Sequence, residues 1–380
     1  MKATIVTYDD EFDKREAREL AEAAGYSVEE VIGLRQVVKS EFGVGVGKAL
    51  ELGEIVRGNG SDTLIVDESI TSSQANNLAK ATHVEVIDRE RLILNIFTRR
   101  AATTQAKLQV QLAELRYELP RTKDMVRNSA AGERAGFMGI GELAVDVKFK
   151  ALKRRMVTVR EKLARAEMNR LVQRKERMKL GEPLVSLAGY TSSGKTTLFN
   201  RLASESKEES PKLFTTLATT TRSIRLPGSR KRILLSDTVG FISRLPAYLV
   251  ESFKSTLEEL TYADLILLVV DASESPESVE VKLRSCRETL EQLAVDPKRV
   301  LLVLNKVDLL HRGVGTNELE GLIGGLASVS TSATRGDGMR RLRNKIVEWT
   351  READPRMAAG RRRQTLGAVI LKCPNGQADG

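Results

Sequence analysis

Eight consecutive residues, Gly189-Tyr190-Thr191-Ser192-Ser193-Gly194-Lys195-Thr196, set two glycines, a lysine and a hydroxyl at the spacing of a loop that wraps phosphate. The glycines permit the backbone angles that bring successive N–H groups together around an anion. Lys195 then reaches the β- and γ-phosphates, and Thr196, with Thr197 beside it, offers a hydroxyl to Mg²⁺. The flanks suit this chemistry: the apolar run PLVSLAG reads as a buried strand leading in, and TLFNRLAS as a helix leading out. The N-terminus of that helix adds positive potential where the phosphates would lie.

Three further segments follow in the order such a site requires. RILLSDTVGF reads as a strand ending in Asp237, whose carboxylate belongs near the metal through water, and Gly240 can present its N–H to a γ-phosphate. RVLLVLNKVDLL carries Asn305, Lys306 and Asp308 at the end of another buried strand. Asp308 can accept from the ring N–H and exocyclic amine of guanine, donors that adenine does not offer there, which disfavours ATP by roughly 10⁴-fold. Lys306 would lie over the base plane. In SVSTSATRGDG, the run Ser332-Ala333-Thr334 can support the guanine carbonyl through a backbone N–H. Between the first two segments, LFTTLATTTRSIRL is placed to close over Mg²⁺ and phosphate, with Thr216 the first choice and Thr220 the second. Lys195, Thr216 and Gly240 form the catalytic set, and Thr196, Thr216 and Asp237 the metal set. The residue after Gly240 is Phe241, which cannot orient water as a glutamine does, so slow intrinsic hydrolysis and dependence on a partner are expected.

These residues must be carried by elements that the rest of the chain supplies. At 380 residues the chain exceeds a single ordinary core. Residues 1–97 alternate short apolar strands (ATIVTY, TLIVDES, HVEVIDR) with helical segments, an α/β domain. From Phe97 the period changes: Leu108, Leu112, Leu115 and Leu119 step as one face of a helix, Pro120 and the stretch from Gly132 to Gly141 interrupt it, and Leu152, Met156, Val159 and Leu163 resume. An antiparallel coiled-coil hairpin over 98–180 is expected, then a GTPase domain with a mostly parallel sheet over 181–355 and a basic tail over 356–380.

The net charge of +10 is unevenly spread. Residues 144–180 hold thirteen basic side chains against four acidic ones, so the second helix of the hairpin accounts for nearly all of it. A solvated face is the plain reading, but such density is relieved by a phosphate backbone, and Lys153, Arg154, Arg155 and Arg160 are candidate RNA contacts. Near the start, GVGVGK opens a helix, where Lys48 can serve an anion such as RNA phosphate or a second nucleotide, or simply follow a plain turn. Aromatic content of 4% argues against base stacking as the main tool.

Other chemistries find little material. His83 and His311 are isolated, and Cys286 and Cys373 lack the spacing of a metal site or disulfide framework. The opening MKATIVTYDDEFDK lacks a signal-peptide core, and no apolar run approaches the roughly 18 residues of a membrane span, so a cytoplasmic protein is expected, and the lack of an obvious leftover apolar helix face makes a monomer the expectation.

With these segments in hand, the chain resembles, over about residues 30 to 350, the HflX family of ribosome-associated, translation-factor-class P-loop GTPases. The likeness lies in LRQVVKSEFGVGVGKALELGEIV and in the run DTLIVDESITSSQANNLAKATHVEVIDRERLILNIFTRR and onward, besides the GTPase segments and the apolar Phe241. The resemblance implies binding of GTP and GDP with Mg²⁺, association with the ribosome, chiefly its large subunit, and a role in splitting, rescue or assembly. The chain departs from the family at Ser192, where Asn is usual and helps hold a monovalent cation in related GTPases. Its linker motif is reduced to GIGE from Gly139 to Glu142, and the C-terminal domain of many bacterial members has no counterpart. A small-molecule kinase would leave the Asn305–Asp308 segment and the basic helix without purpose. A scaffold with a structural nucleotide site, or a GTPase acting on another ribonucleoprotein, remains the alternative.

Overall fold

Short apolar runs interleaved with capped helices build two α/β units joined by a helical hairpin in the computed structural model, which describes residues 1–36, 41–132, 140–204, 219–229, 232–310, 321 and 325–352. Within helices, only the backbone is described at 125–132, 140–144, 169–180, 254–256 and 351–352.

The first unit contains β1 (Lys2–Tyr8), α1 (Glu11–Ala24), β2 (Ser27–Leu34), α2 (Val46–Asn59), β3 (Thr63–Val66), α3 (Ser72–Thr82), β4 (Glu85–Asp88) and α4 (Arg89–Arg100). Side chains start its helices. Asp10 accepts from the N–H groups of Phe12 and Asp13, Thr71 and Gln74 form a reciprocal capping box, and Asp88 accepts from the Arg91 N–H. The strands lie in the order β2-β1-β3-β4, all parallel. β2 escapes the sequence pattern because SVEEVIGL is an edge strand, only partly covered, without the apolar run of a central strand.

The connecting hairpin is α5 (Thr104–Gly132) and α6 (Ile140–Leu180). Leu112, Leu115, Leu152 and Val159 are buried between them, with Leu108, Leu119, Met156 and Leu163 packed against that seam. Two expectations are corrected. The long helix does not begin at Phe97: that residue ends up buried in α4 against Phe253, and a break at 101–103 precedes α5, where the Thr103 hydroxyl accepts from the Ala106 N–H. Nor does Pro120 interrupt the helix, since α5 runs through it. A proline removes one backbone bond, and the leucine seam against α6 holds the helix across that gap.

The second unit contains β5 (Leu184–Gly189), α7 (Lys195–Ala203), β6 (Thr220–Ile224), β7 (Ile233–Asp237), α8 (Ala247–Ser252), α9 (Lys254–Tyr262), β8 (Leu265–Asp271), α10 (Pro276–Gln292), β9 (Val300–Asn305), β10 (Ser328–Ser330) and α11 (Met339–Glu352). Its sheet order is β10-β9-β8-β5-β7-β6, parallel except for β6. One face is covered by α7 and α11 through Leu198, Phe199, Leu342 and Ile346. The other face shares one apolar cluster with the first unit, from Leu20 and Ile93 to Phe241 and Leu268, so the units are fused by a continuous core. Among the described residues no helix is long and apolar enough to cross a membrane. The tail from 353 onward lies outside them.

Candidate nucleotide-binding site

Strand order reverses at β5, which pairs with β7 on one side and β8 on the other, so the loop leaving β5 opens into the crevice where parallel sheets bind ligands. That loop is the glycine-bounded segment. Gly194 stands at φ +88°, and a Cβ there would come within 2.3 Å of the Asn305 side-chain nitrogen. Ser192 also takes a left-handed φ of 61°, and Ser193 is buried with its hydroxyl unpartnered. The Lys195 ammonium donates to the carbonyls of Gly189 at 3.1 Å and Tyr190 at 2.6 Å, which fixes it over the loop and leaves its third donor for a phosphate.

Opposite the loop, the Thr196 hydroxyl donates to Asp237 at 3.1 Å, which brings together two oxygen groups suited to a hard cation. Among the described residues no cluster of three or more His, Cys, Asp or Glu side chains forms a metal cage. Gly240 lies against the loop: a Cβ there would meet the Thr191 methyl at 2.8 Å and the Lys195 ammonium at 3.1 Å. Phe241 pairs with the loop through its backbone, accepting from the Thr191 N–H at 2.8 Å and donating to the Gly189 carbonyl at 3.0 Å, while its ring is buried in the shared core. The position after Gly240 is therefore a structural anchor.

The base end is built by Asn305, which is buried. Its amide donates to the Ser193 carbonyl at 3.0 Å and accepts from the Ala333 N–H at 3.0 Å, tying the phosphate loop to the Ser332–Thr334 turn. Lys306, at a left-handed φ of 62°, is held by Asp271 at 2.6 Å. Asp308 has the Thr334 hydroxyl 3.5 Å and the Arg335 guanidinium 3.7 Å from one oxygen; its other oxygen is buried without a partner. The polar groups around it, Ser332 foremost, hold its carboxyl below the ordinary range, which favours the ionised, acceptor-only form.

The structure thus brings together Gly189, Thr191 to Thr196, Asp237, Gly240, Asn305, Lys306, Asp308 and the Ser332–Thr334 turn, with Thr197 inside α7. Tyr190 belongs to the loop through its backbone only; its hydroxyl leaves the site to bond Glu16 of α1 and to accept from the Ser243 N–H at 2.7 Å. Thr216 lies outside the described residues, and Thr220 opens β6, opposite Asp237. Asp271 was missed by sequence reasoning, although LILLVVD ends in Asp just as LLSD does. Of the RNA candidates, Lys153, Arg154, Arg155 and Arg160 are exposed on α6, and Lys48 is paired with Glu51 at 2.6 Å. The GIGE segment falls at the edge of or outside the described side chains.

Lys195 supports a pH prediction. Burial pushes its ammonium down to about 8, against the opposing pull of Asp237. Phosphate would restore the charged form, so the bound-state pKa lies higher than the free one. Below pH 8 both states are protonated and affinity for a nucleoside diphosphate is flat. Above it, binding takes up a proton and affinity falls by up to about tenfold per pH unit. Calorimetry in buffers of different ionisation enthalpy would show proton uptake near pH 9 and none near pH 7; equal heats at both would contradict it.

Comparison with known proteins follows the same division of the chain. Residues 11–98 match the model described as GTP-binding GTPase N-terminal, residues 100–177 that of the GTP-binding GTPase middle region, and residues 184–306 that of the 50S ribosome-binding GTPase. A GTPase HflX of Methanocaldococcus jannaschii is 39% identical over 347 residues, 90% of this chain and 85% of that one. One of Thermococcus kodakarensis is 43% identical over 78% of this chain and 67% of its own length. The crystal structure of SsGBP in complex with GDP matches with a TM-score of 0.51 and 27% identity, covering 92% of this chain and 98% of that one.

Proposed function

This chain belongs to the HflX family of GTPases and hydrolyses GTP to GDP and phosphate, and on that premise we propose that it does so as a switch on the ribosome, chiefly on the large subunit, in splitting, rescue or assembly. The guanine end of the reading is carried by the buried, unpartnered oxygen of Asp308, which offers an acceptor where guanine has donors. Lys195 binds the β- and γ-phosphates, and Gly240 meets the γ-phosphate through its N–H. Thr196 and Asp237, whose oxygens lie 3.1 Å apart, would hold Mg²⁺, and Thr216 would complete the set. Such an ion would supply positive charge against the phosphate oxygens, where negative charge develops on the leaving group.

Water is oriented by no side chain after Gly240, since Phe241 is committed to the core, so intrinsic turnover is slow and a partner that orders the switch segments accelerates it. The ribosomal half of the proposal is supported by the exposed basic side chains of α6, among them Lys153, Arg154, Arg155 and Arg160, distributed around and beside the leucine seam. Such side chains bind RNA phosphate by counterion release.

Sedimentation with ribosomes tests the proposal. Binding to the large subunit is expected to be tighter with a non-hydrolysable GTP analogue than with GDP, to weaken steeply with salt, and to accompany faster hydrolysis. Salt-dependent co-sedimentation that ignores the nucleotide, with an unchanged hydrolysis rate, would replace the switch by an RNA-binding scaffold.

A further inference from the structure

The first sheet has its own reversal point, because β1 pairs with β2 on one side and β3 on the other. In parallel sheets the crevice beyond the carboxyl ends of the strands at such a reversal takes a ligand. Here it is lined by Tyr8 at the end of β1, Asp67 and Glu68 just past β3, and Asp13 on α1. It is filled from the other α/β unit by the side chain of Arg244.

The fit is specific. One terminal nitrogen of Arg244 lies 2.9 Å from Asp13 and 2.8 Å from a carboxylate oxygen of Asp67; the other donates to the Asp67 carbonyl at 3.1 Å and to Glu68 at 3.3 Å. The guanidinium carbon stands 5.1 Å from the centre of the Tyr8 ring. Asp67 is fully buried, and the Thr7 hydroxyl, 2.7 Å away, fixes the oxygen that receives Arg244. Divergent acceptors around an aromatic ring suit a planar fork of donors, and an ammonium group cannot satisfy them together. Arg244 holds a φ of +48°, a conformation that a large side chain adopts only when its surroundings impose it.

Arg244 lies four residues beyond Gly240, in a segment also held at Ser243, whose carbonyl accepts from Arg89 at 2.9 Å and whose N–H donates to Tyr190. We propose that the crevice of the first unit is a guanidinium-binding site, and that Arg244, as its resident ligand, is a positioning residue that holds Gly240 beside Lys195. The kinetic part rests on the reading of Gly240 as the γ-phosphate contact; the binding part does not. GDP does not extend to Gly240, so the effect of the crevice falls on the triphosphate.

The test is Arg244→Ala in the full chain. Its affinity for a non-hydrolysable GTP analogue is expected to fall about tenfold while that for GDP stays within about twofold, with a lower kcat. Millimolar methylguanidinium restores both quantities, methylammonium does not, and Arg244→Lys behaves like the alanine variant. Without nucleotide, methylguanidinium raises the melting temperature of Arg244→Ala and leaves that of the parent unchanged. Should Arg244→Ala not fold, Asp13→Ala removes one partly exposed acceptor and is expected to give the same selective loss in smaller measure. Equal losses for GDP and the analogue, or full function in Arg244→Lys, would overturn the proposal. So would absence of the methylguanidinium melting shift, a readout that stands even if the protein bound no guanine nucleotide.

Discussion

Asp308→Asn is expected to lower the affinity for GDP by about 10⁴-fold and to raise that for xanthosine diphosphate. One oxygen of the native carboxylate is buried with no partner, so a base edge lacking donors leaves a desolvated charge. Guanine supplies the donors from N1 and its exocyclic amine. Asparagine keeps one acceptor but turns an amide N–H₂ toward the amine, two donors facing each other. Xanthine carries a carbonyl at that position and accepts from the new amide. The neighbours that build the pocket, Asn305 to Ser193 at 3.0 Å and Lys306 to Asp271 at 2.6 Å, do not depend on the substituted oxygen, so the fold should persist. Competition calorimetry with GDP, XDP and ADP reads the result directly, and unchanged discrimination in the variant would end the assignment of Asp308 to the base.

Arg89→Ala carries the largest expected stability change, a loss of about 3–5 kcal/mol, because it leaves two buried carboxylates without their shared cation. Arg89 reaches Glu16 at 2.7 Å, bonds Asp67, and donates to the Ser243 carbonyl at 2.9 Å and hydroxyl at 3.1 Å, all in the seam between the two α/β units. Burial alone would raise the Glu16 carboxyl, but the Arg89 charge and hydrogen bonds from Ser243 and Tyr190 hold it at about 2. Its folded pKa thus lies below the ordinary 4.5, so its contribution is full above 4.5 and is lost as pH falls toward 2. Without Arg89 the carboxyl rises instead, and its charge costs stability at neutral pH. The urea midpoint of the variant should therefore lie far below the parent's at pH 7, with the gap narrowing once pH falls through the variant's raised Glu16 pKa, above 4.5, and on toward 2. Equal midpoints at pH 7 would show that the seam does not depend on this cation.

The two predictions fall on opposite sides of what could be read from residue order. Asp308 was singled out from the sequence because the proposed base site is made of short runs: a strand, a loop and the first turn of a helix, each in consecutive residues. Backbone geometry within such a run is set by its own glycines and hydroxyls, so GYTSSGKT and NKVD announce their shapes without help from distant parts of the chain. The leucine seam of the hairpin was legible for a similar reason, since helical period is a local property. Thr216 was chosen by order alone and lies outside the described residues, so its role stands as proposed.

What residue order by itself determined was thus the set of local shapes: the phosphate loop, the strand-end Asn305–Asp308 segment, the amphipathic helices and the place where basic charge collects. Only the tertiary structure decided that β2 forms a sheet edge, that α5 continues through Pro120, that Tyr190 turns away from its loop, and that Arg89 and Arg244 bind across the seam. Glu16 and Ser243 are separated by 227 positions, and Asp67 and Arg244 by 177. On one chain a charged residue facing solvent and one destined for a buried pair look alike. The difference is created when two sheets bring their surfaces together and exclude water from between them.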